Sequence, residues 1–229
     1  MCLRAAGLLG LRIARVDLVD FGGARTLVST RYDRRRARDG QWLRLHQEDL
    51  LQAISYPPSK RYQADGGPSV KNVAALLGTL GLADREPVWT AFFDAFAFNV
   101  LVGGSDAHAK NFSLLLRGPR VALAPLYDAA SCAPYLKPGE AVRSSMRVGR
   151  AWQVRDVTVE DWVSVAAALE VQPEQALSRV EHLRTGLPET VAEAADQAPA
   201  PFKKDARRVA AAVSRQRHLH IPRLPGARG

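Results

Sequence analysis

Residues 86–128 read EPVWTAFFDAFAFNVLVGGSDAHAKNFSLLLRGPRVALAPLYD. Glu86 and Pro87 suit a helix opening, and the following segment is apolar on nearly every face up to Gly103, the pattern of a helix buried in a core. Four polar side chains, Asp106, His108, Lys110 and Asn111, then crowd into six positions. Beyond them FSLLL and VALAPLYD flank the turn RGPR and read as two short strands, with Asp128 closing the second. A buried helix, a polar loop and a hairpin thus follow one another.

Outward from this stretch, MCLRAAGLLG reads as the end of a helix with Gly10 as its stop. RIARVDLVDF and ARTLVSTRYD alternate around Gly22 and Gly23, predicting a β-hairpin over about 12–32. HQEDLLQAI predicts a helix with Glu48 and Asp49 at its start. PPSKRYQADGGPS reads as a loop, and Ser69 fits the N-cap of SVKNVAALLGTLG. From Thr158 the pattern is helical: TVEDWVSVAAALEV, with Thr158 and Asp161 spaced as a capping box, then QPEQALSRVEHLRTG, LPETVAEAADQ and APFKKDARRVAAAVSRQR. Trp42, Tyr62, Phe92, Phe93, Phe96 and Phe98 are expected in the core. The fold class expected is α+β.

A chain of 229 residues holds one good core and leaves room for two lobes. Hydrophobic residues at 47% and charged residues at 24% argue against disorder. No apolar run reaches the ~20 residues of a membrane span, and the start lacks a cleavable signal, so a cytoplasmic protein is expected. Cys2 and Cys132 have no metal-ligand spacing and are expected as free thiols. The net charge of +9 raises nucleic acid as a partner. Arginine supplies 26 of the 32 basic residues, however, and the densest cluster, RYDRRRAR at 31–38, carries no interleaved aromatics. RRRAR is therefore expected to be a solvated insertion, and DNA to be met only through a partner.

Phosphoryl transfer of the kinase type asks little covalent help from the protein. It needs a carboxylate at the attacking hydroxyl and oxygen ligands for a metal that bridges phosphates. Asp106, Asn111 five residues on, and Asp128 after the hairpin have the required offsets. Lys110 could counter charge on the transferred group, and His108 could support the loop or touch phosphate. Taken singly, Asp106 is an ordinary turn residue and Asp128 an ordinary cap. Asp106 and His108 also form the Asp-x-His pair of a two-metal phosphatase, for which the further histidines are His182, His218 and His220, all in helical or tail sequence.

The chain resembles the HipA-like serine/threonine kinases, which include toxins of bacterial toxin–antitoxin pairs. The resemblance rests on SDAHAKNFSLL (105–115), LAPLYDAAS (123–131), RLHQEDLLQAI (44–54), KRYQADGGPS (60–69) and RYDR (31–34), in family order, and runs from about residue 1 to about 190. It implies a protein-kinase-like fold, mainly the helical large lobe with an incomplete small lobe. By carry-over, Asp106 is the catalytic residue and Asn111 and Asp128 are the metal ligands. Tyr32 would meet adenine through its backbone and Asp33 the ribose, with His108 and Lys110 as further nucleotide contacts. The implied cofactors are ATP and Mg²⁺, and the implied partners a protein substrate and an antitoxin or separate small-lobe chain. The implied division is a small-lobe remnant and hinge at 1–35, a kinase lobe at 36–220 and a flexible tail at 221–229.

Three departures qualify the resemblance. The first lysine is Lys60, and no Gly-rich loop precedes residue 22, so the region would be N-terminally truncated relative to the family. Gly104 stands where many members have Asn, and SSMRVG (144–149) keeps only part of an apolar-Met-basic-apolar-Gly segment. The function implied is transfer of the ATP γ-phosphoryl group to a protein hydroxyl. The alternative is a catalytically inactive fragment or pseudokinase that serves as a binding module in a toxin–antitoxin assembly.

Overall fold

A computed structural model describes residues 1–216. The chain opens with α1 (Cys2–Leu8) and a hairpin of β1 (Val16–Phe21) and β2 (Ala24–Ser29), in which Val16 faces Ser29 and Phe21 faces Ala24. A second hairpin joins β3 (Arg34–Arg36) to β4 (Trp42–Arg44). Strand β5 (His46–Asp49) runs directly into α2 (Leu50–Ala53), and α3 (Val70–Gly78) and α4 (Leu82–Val102) follow. Then come β6 (Ser113–Arg117), β7 (Arg120–Leu123), β8 (Arg143–Val148) and β9 (Ala151–Gln153). Helices α5 (Val159–Ala168), α6 (Pro173–Asp196) and α7 (Ala200–Ser214) complete the described chain.

The core forms around α4, whose Phe92, Phe93, Phe96 and Phe98 are fully buried. Each ring removed from water stabilises the fold by about 1.5–3 kcal/mol. Phe92 stacks on Phe96, and the indole of Trp162 in α5 meets Phe93 and Phe96 edge-on at 6.0 and 6.4 Å. The helix stops at Gly103, whose φ of 79° is left-handed and favours a residue without a β-carbon. The loop after it leads into the antiparallel sheet β5-β6-β7, with Asp49 opposite Ser113 and Leu114 opposite Leu123. Asp84 ties this sheet to α4 by accepting from the Val121 N–H at 2.8 Å and from Arg120 Nε at 2.5 Å.

The sequence expectations hold for α1, the first hairpin, the Ser69 N-cap, the Thr158 capping box and the hairpin after Asn111. Elsewhere tertiary bonds move the boundaries. HQED is a strand rather than a helix start, because its backbone pairs with β6; only Asp49 caps, accepting from the Gln52 N–H at 2.9 Å. Helix α4 starts at Leu82, a turn before Glu86, and Asp84 in that extra turn holds β7. Two expected helices fuse into α6 across Pro188, where the hydroxyls of Thr185 and Thr190 bond the carbonyls of Glu181 and Gly186. Asp128 does not end a strand: β7 stops at Leu123.

The β8-β9 hairpin is absent from the sequence reading because Ser144 and Ser145 mask the alternation of a strand whose Ser144, Met146 and Val148 are buried. Gly149, at φ 55°, turns this hairpin against the start of α5. A β-carbon there would lie 2.5 Å from Asp161 Oδ1 and 2.7 Å from its Cα. Trp42, expected in the core, is 65% exposed, and Tyr62 is only half-buried. Among the described residues no helix is long and apolar enough to cross a membrane. Cys2 and Cys132 are free thiols, and burial pushes the Cys2 thiol up. The tail at 221–229, the last four residues assigned to the large lobe, and His218 and His220 lie outside the described residues.

Candidate active site

The loop after α4 is knotted by its own backbone. Asp106 O accepts from the His108 N–H at 2.8 Å and from the Asn111 side-chain Nδ2 at 2.9 Å, and His108 O accepts from the Asn111 N–H at 2.8 Å. These bonds orient the Asn111 amide with its nitrogen toward Asp106 and its oxygen turned away. The Asp106 side chain is 67% exposed, while His108 and Asn111 are buried. His108 Nε2 lies 3.8 Å from Asp106 Oδ1, and its Nδ1 is buried without a partner among the described residues. Burial lowers the imidazole pKa against an opposing pull from Asp106, which favours the neutral ring.

Two tyrosines organise this loop. The Tyr62 hydroxyl donates to Asp106 Oδ1 while its ring stands edge-on to His108 at 5.1 Å. The bond to the Asp106 carboxylate, helped by burial, raises the Tyr62 phenol pKa. The Tyr127 hydroxyl donates to the carbonyl of Lys110 at 2.8 Å and shares a 2.7 Å bond with Ser113 Oγ. Burial, with Tyr32, Asp49 and Asp128 nearby, pushes the Tyr127 phenol far up. The Tyr32 ring stacks on Tyr127 at 5.8 Å, so the RYDR segment reaches the loop after α4 through one aromatic pair.

Asp128, next to Tyr127, is exposed and has a left-handed φ of 53°. The Lys110 ammonium makes no hydrogen bond or ion pair among the described residues. Asp33 is set differently: its carboxylate is 1% exposed and holds Arg31, through bonds of 2.7 and 2.6 Å, and Arg34. Those arginines, Arg31 first, lower its pKa. To meet a ribose, Asp33 would have to exchange one of them. The sequence reading assigned Tyr62 to the core and no role to Tyr127, although each sits inside a quoted motif, KRYQADGGPS and LAPLYDAAS.

Among the described residues no group of three or more His, Cys, Asp or Glu is placed to hold a metal. His182 bonds Leu9 O at 3.3 Å and brings nothing to a two-metal phosphatase site. The donor chemistry of the loop does suit a hard cation bound partly by phosphates and water. The oxygen end of the Asn111 amide is free of the Asp106 carbonyl, and Asp128 offers an exposed carboxylate.

The HipA-like C-terminal domain family matches residues 1–191. The chain belongs to that family. Two curated relatives share its HipA-like sequence. The putative kinase Y4mE of Sinorhizobium fredii is 35% identical over 192 residues, 83% of this chain and 44% of that protein. The serine/threonine-protein kinase toxin HipA of Shewanella oneidensis is 34% identical over 143 residues, 58% of this chain and 33% of that protein. The chain therefore spans less than half the length of these relatives. In fold it matches Shewanella oneidensis HipA, solved with HipB and operator DNA, at a TM-score of 0.81 with 23% identity over 95% of this chain and 52% of that one. It also matches the Helicobacter pylori proinflammatory kinase CtkA at 0.62 with 11% identity, over 93% of this chain and 78% of that one. The kinase-like α+β fold is thus established.

Proposed function

We propose that the chain is the large lobe of a HipA-like serine/threonine kinase that transfers the γ-phosphoryl group of ATP to a protein hydroxyl. The observation that carries this reading is the 2.9 Å bond from Asn111 to the Asp106 backbone. It orients the Asn111 amide oxygen on the turn that carries the Asp106 carboxylate, ahead of the hairpin that precedes Asp128. Asp106 would accept the proton of the acceptor hydroxyl as its oxygen bonds the γ-phosphorus and the bond to the bridging oxygen of the ADP leaving group breaks. Tyr62 engages one oxygen of that carboxylate and leaves the other to the acceptor. Asn111 and Asp128 would hold Mg²⁺, which neutralises phosphate charge when bound. Lys110 and neutral His108 would contact the transferred group, and Tyr32 and, after exchanging an arginine, Asp33 would contact the nucleoside.

Residues 1–35 serve as small-lobe remnant and hinge, and the described residues from 36 onward as the kinase lobe. The α and β phosphates need a Gly-rich loop and a lysine, and the first lysine here is Lys60. A polypeptide segment beyond these 229 residues, joined or separate, supplies them in this reading. An antitoxin partner, with DNA reached through it, is supported by the complex in which the Shewanella oneidensis protein was solved. The second reading is an inactive fragment or pseudokinase that serves as a binding module in a toxin–antitoxin assembly.

Thermal melting with ATP and Mg²⁺ separates the two. The chain alone should gain less than ~1 °C. Fused to the amino-terminal half of Shewanella oneidensis HipA, it should gain roughly 3 °C at a hundredfold excess over Kd. Asp128→Ala should abolish that gain. A fusion that folds but gains nothing would rule out the kinase reading.

A further inference from the structure

We propose that the β3-β4 ribbon is a docking surface for an unpaired nucleic-acid strand. The inference does not depend on the kinase reading. In the sequence RRRARDGQWLR the arginines and the tryptophan stand apart, but strand pairing sets Arg36 opposite Trp42 and Arg34 opposite Arg44. The Arg36 guanidinium then lies over the Trp42 ring, 5.2 Å from its centroid. The aromatic that the linear cluster lacks is supplied by the hairpin.

Apart from Arg34, which the buried Asp33 carboxylate holds, the fold does not use these groups. Both strands are largely exposed, they pair only with each other, and Trp42 is 65% exposed. Like charges directly opposite across a ladder, as in Arg34 and Arg44, repel and weaken a ribbon. The two neighbouring carboxylates are spent: Asp33 on Arg31 and Arg34, and Asp39 on the Gln41 N–H at 3.0 Å. Among the described residues Arg35, Arg38 and Arg44 have no hydrogen-bond or ion-pair partner, and Arg36 has only the indole. Several arginines elsewhere are paired, as in Arg120 with Asp84 and Arg184 with Glu181.

Unpaired guanidinium forks beside an open indole fit phosphates alternating with flat bases. A duplex hides the faces of its bases and an acidic peptide has none, so the exposed ring selects a single strand over either. Trp152 offers a contrast, because Arg143 and Arg147 both lie over its ring, at 4.5 and 4.7 Å.

The test is fluorescence anisotropy of the full chain with a fluorescein-labelled, mixed-sequence single-stranded oligonucleotide across a salt series. Replacing both Arg35→Glu and Arg36→Glu should weaken binding more than about tenfold and flatten the log–log salt slope by about 1.4, at ~0.7 per lost phosphate contact. Trp42→Ala should weaken it by about tenfold with the slope unchanged, and should abolish the tryptophan quenching seen on binding. All these side chains are exposed, and far-UV circular dichroism confirms that the variants fold. Asp128→Ala should bind as wild type, which separates this surface from the candidate active site. Binding that survives the ribbon substitutions overturns the proposal. So does equal competition by the duplex of the same sequence, or by poly-L-glutamate.

Discussion

The bond between Tyr62 and Asp106 ties the 57–68 loop to the candidate catalytic carboxylate, and a double-mutant cycle measures it. Tyr62→Phe removes only the hydroxyl, because the ring keeps its edge contact with His108 at 5.1 Å and its place under the Arg61 guanidinium at 5.0 Å. Asp106→Asn removes the charge and keeps the shape. A hydrogen bond to an ionised acceptor stabilises by about 1.5–3 kcal/mol when sheltered. The Asp106 side chain is 67% exposed, so water competes. The coupling expected from urea unfolding of the wild type, two single variants and the double variant is therefore about 0.5–1.5 kcal/mol, or ~1–5 °C in melting temperature. The phenol pKa is raised in the folded state. This stabilisation is thus fully present below the unfolded value near 10 and is lost as pH rises through the higher folded value. Absorbance titration at alkaline pH should show one tyrosine returning toward the ordinary value in Asp106→Asn. A coupling under ~0.2 kcal/mol with an unchanged titration would refute the bond.

Gly149→Ala should destabilise by about 2–4 kcal/mol in the same unfolding assay, since it adds a β-carbon 2.7 Å from the Asp161 Cα at a left-handed φ; a loss below ~0.5 kcal/mol would contradict the packing. Phe92→Ala should cost about 3–5 kcal/mol, and because Phe92 meets Phe112 edge-on at 5.0 Å it should also loosen the loop, read as faster amide exchange at Phe112. Acid should weaken the join between the β8-β9 hairpin and α5. Burial pushes the Asp161 carboxyl up, but the Arg150 and Thr158 N–H groups and the Thr158 hydroxyl outweigh it and hold the pKa low. The stabilisation from Asp161 is then present above the ordinary carboxylate value and lost as pH falls through the lower folded one, a loss that Asp161→Asn should remove from the pH–stability curve.

The middle of the fold was legible because its signals are local. An all-round apolar α4, Gly103 after it, and Ser69 and Thr158 at helix starts each act within a turn of the chain. What escaped depends on partners distant in sequence. HQED became a strand through β6, the start of α4 moved because Asp84 reaches Val121, and Trp42 left the core for Arg36. The offsets of Asp106, Asn111 and Asp128 could be read from spacing. The tyrosines that surround them could not: Tyr62 reaches Asp106 across 44 residues, and no local pattern marks that pair.

The central claim is that this loop transfers phosphoryl groups, and the direct measurement follows the γ-labelled phosphate of ATP into protein. The fusion carrying the Shewanella oneidensis HipA amino-terminal half would be incubated with Mg²⁺ and cell protein, and the label recovered by acid hydrolysis. The account predicts phosphoserine or phosphothreonine, reduced by about a hundredfold to a thousandfold in Asp106→Asn and Asp128→Ala. Labelling by a folded wild-type fusion no greater than that of Asp106→Asn would contradict it.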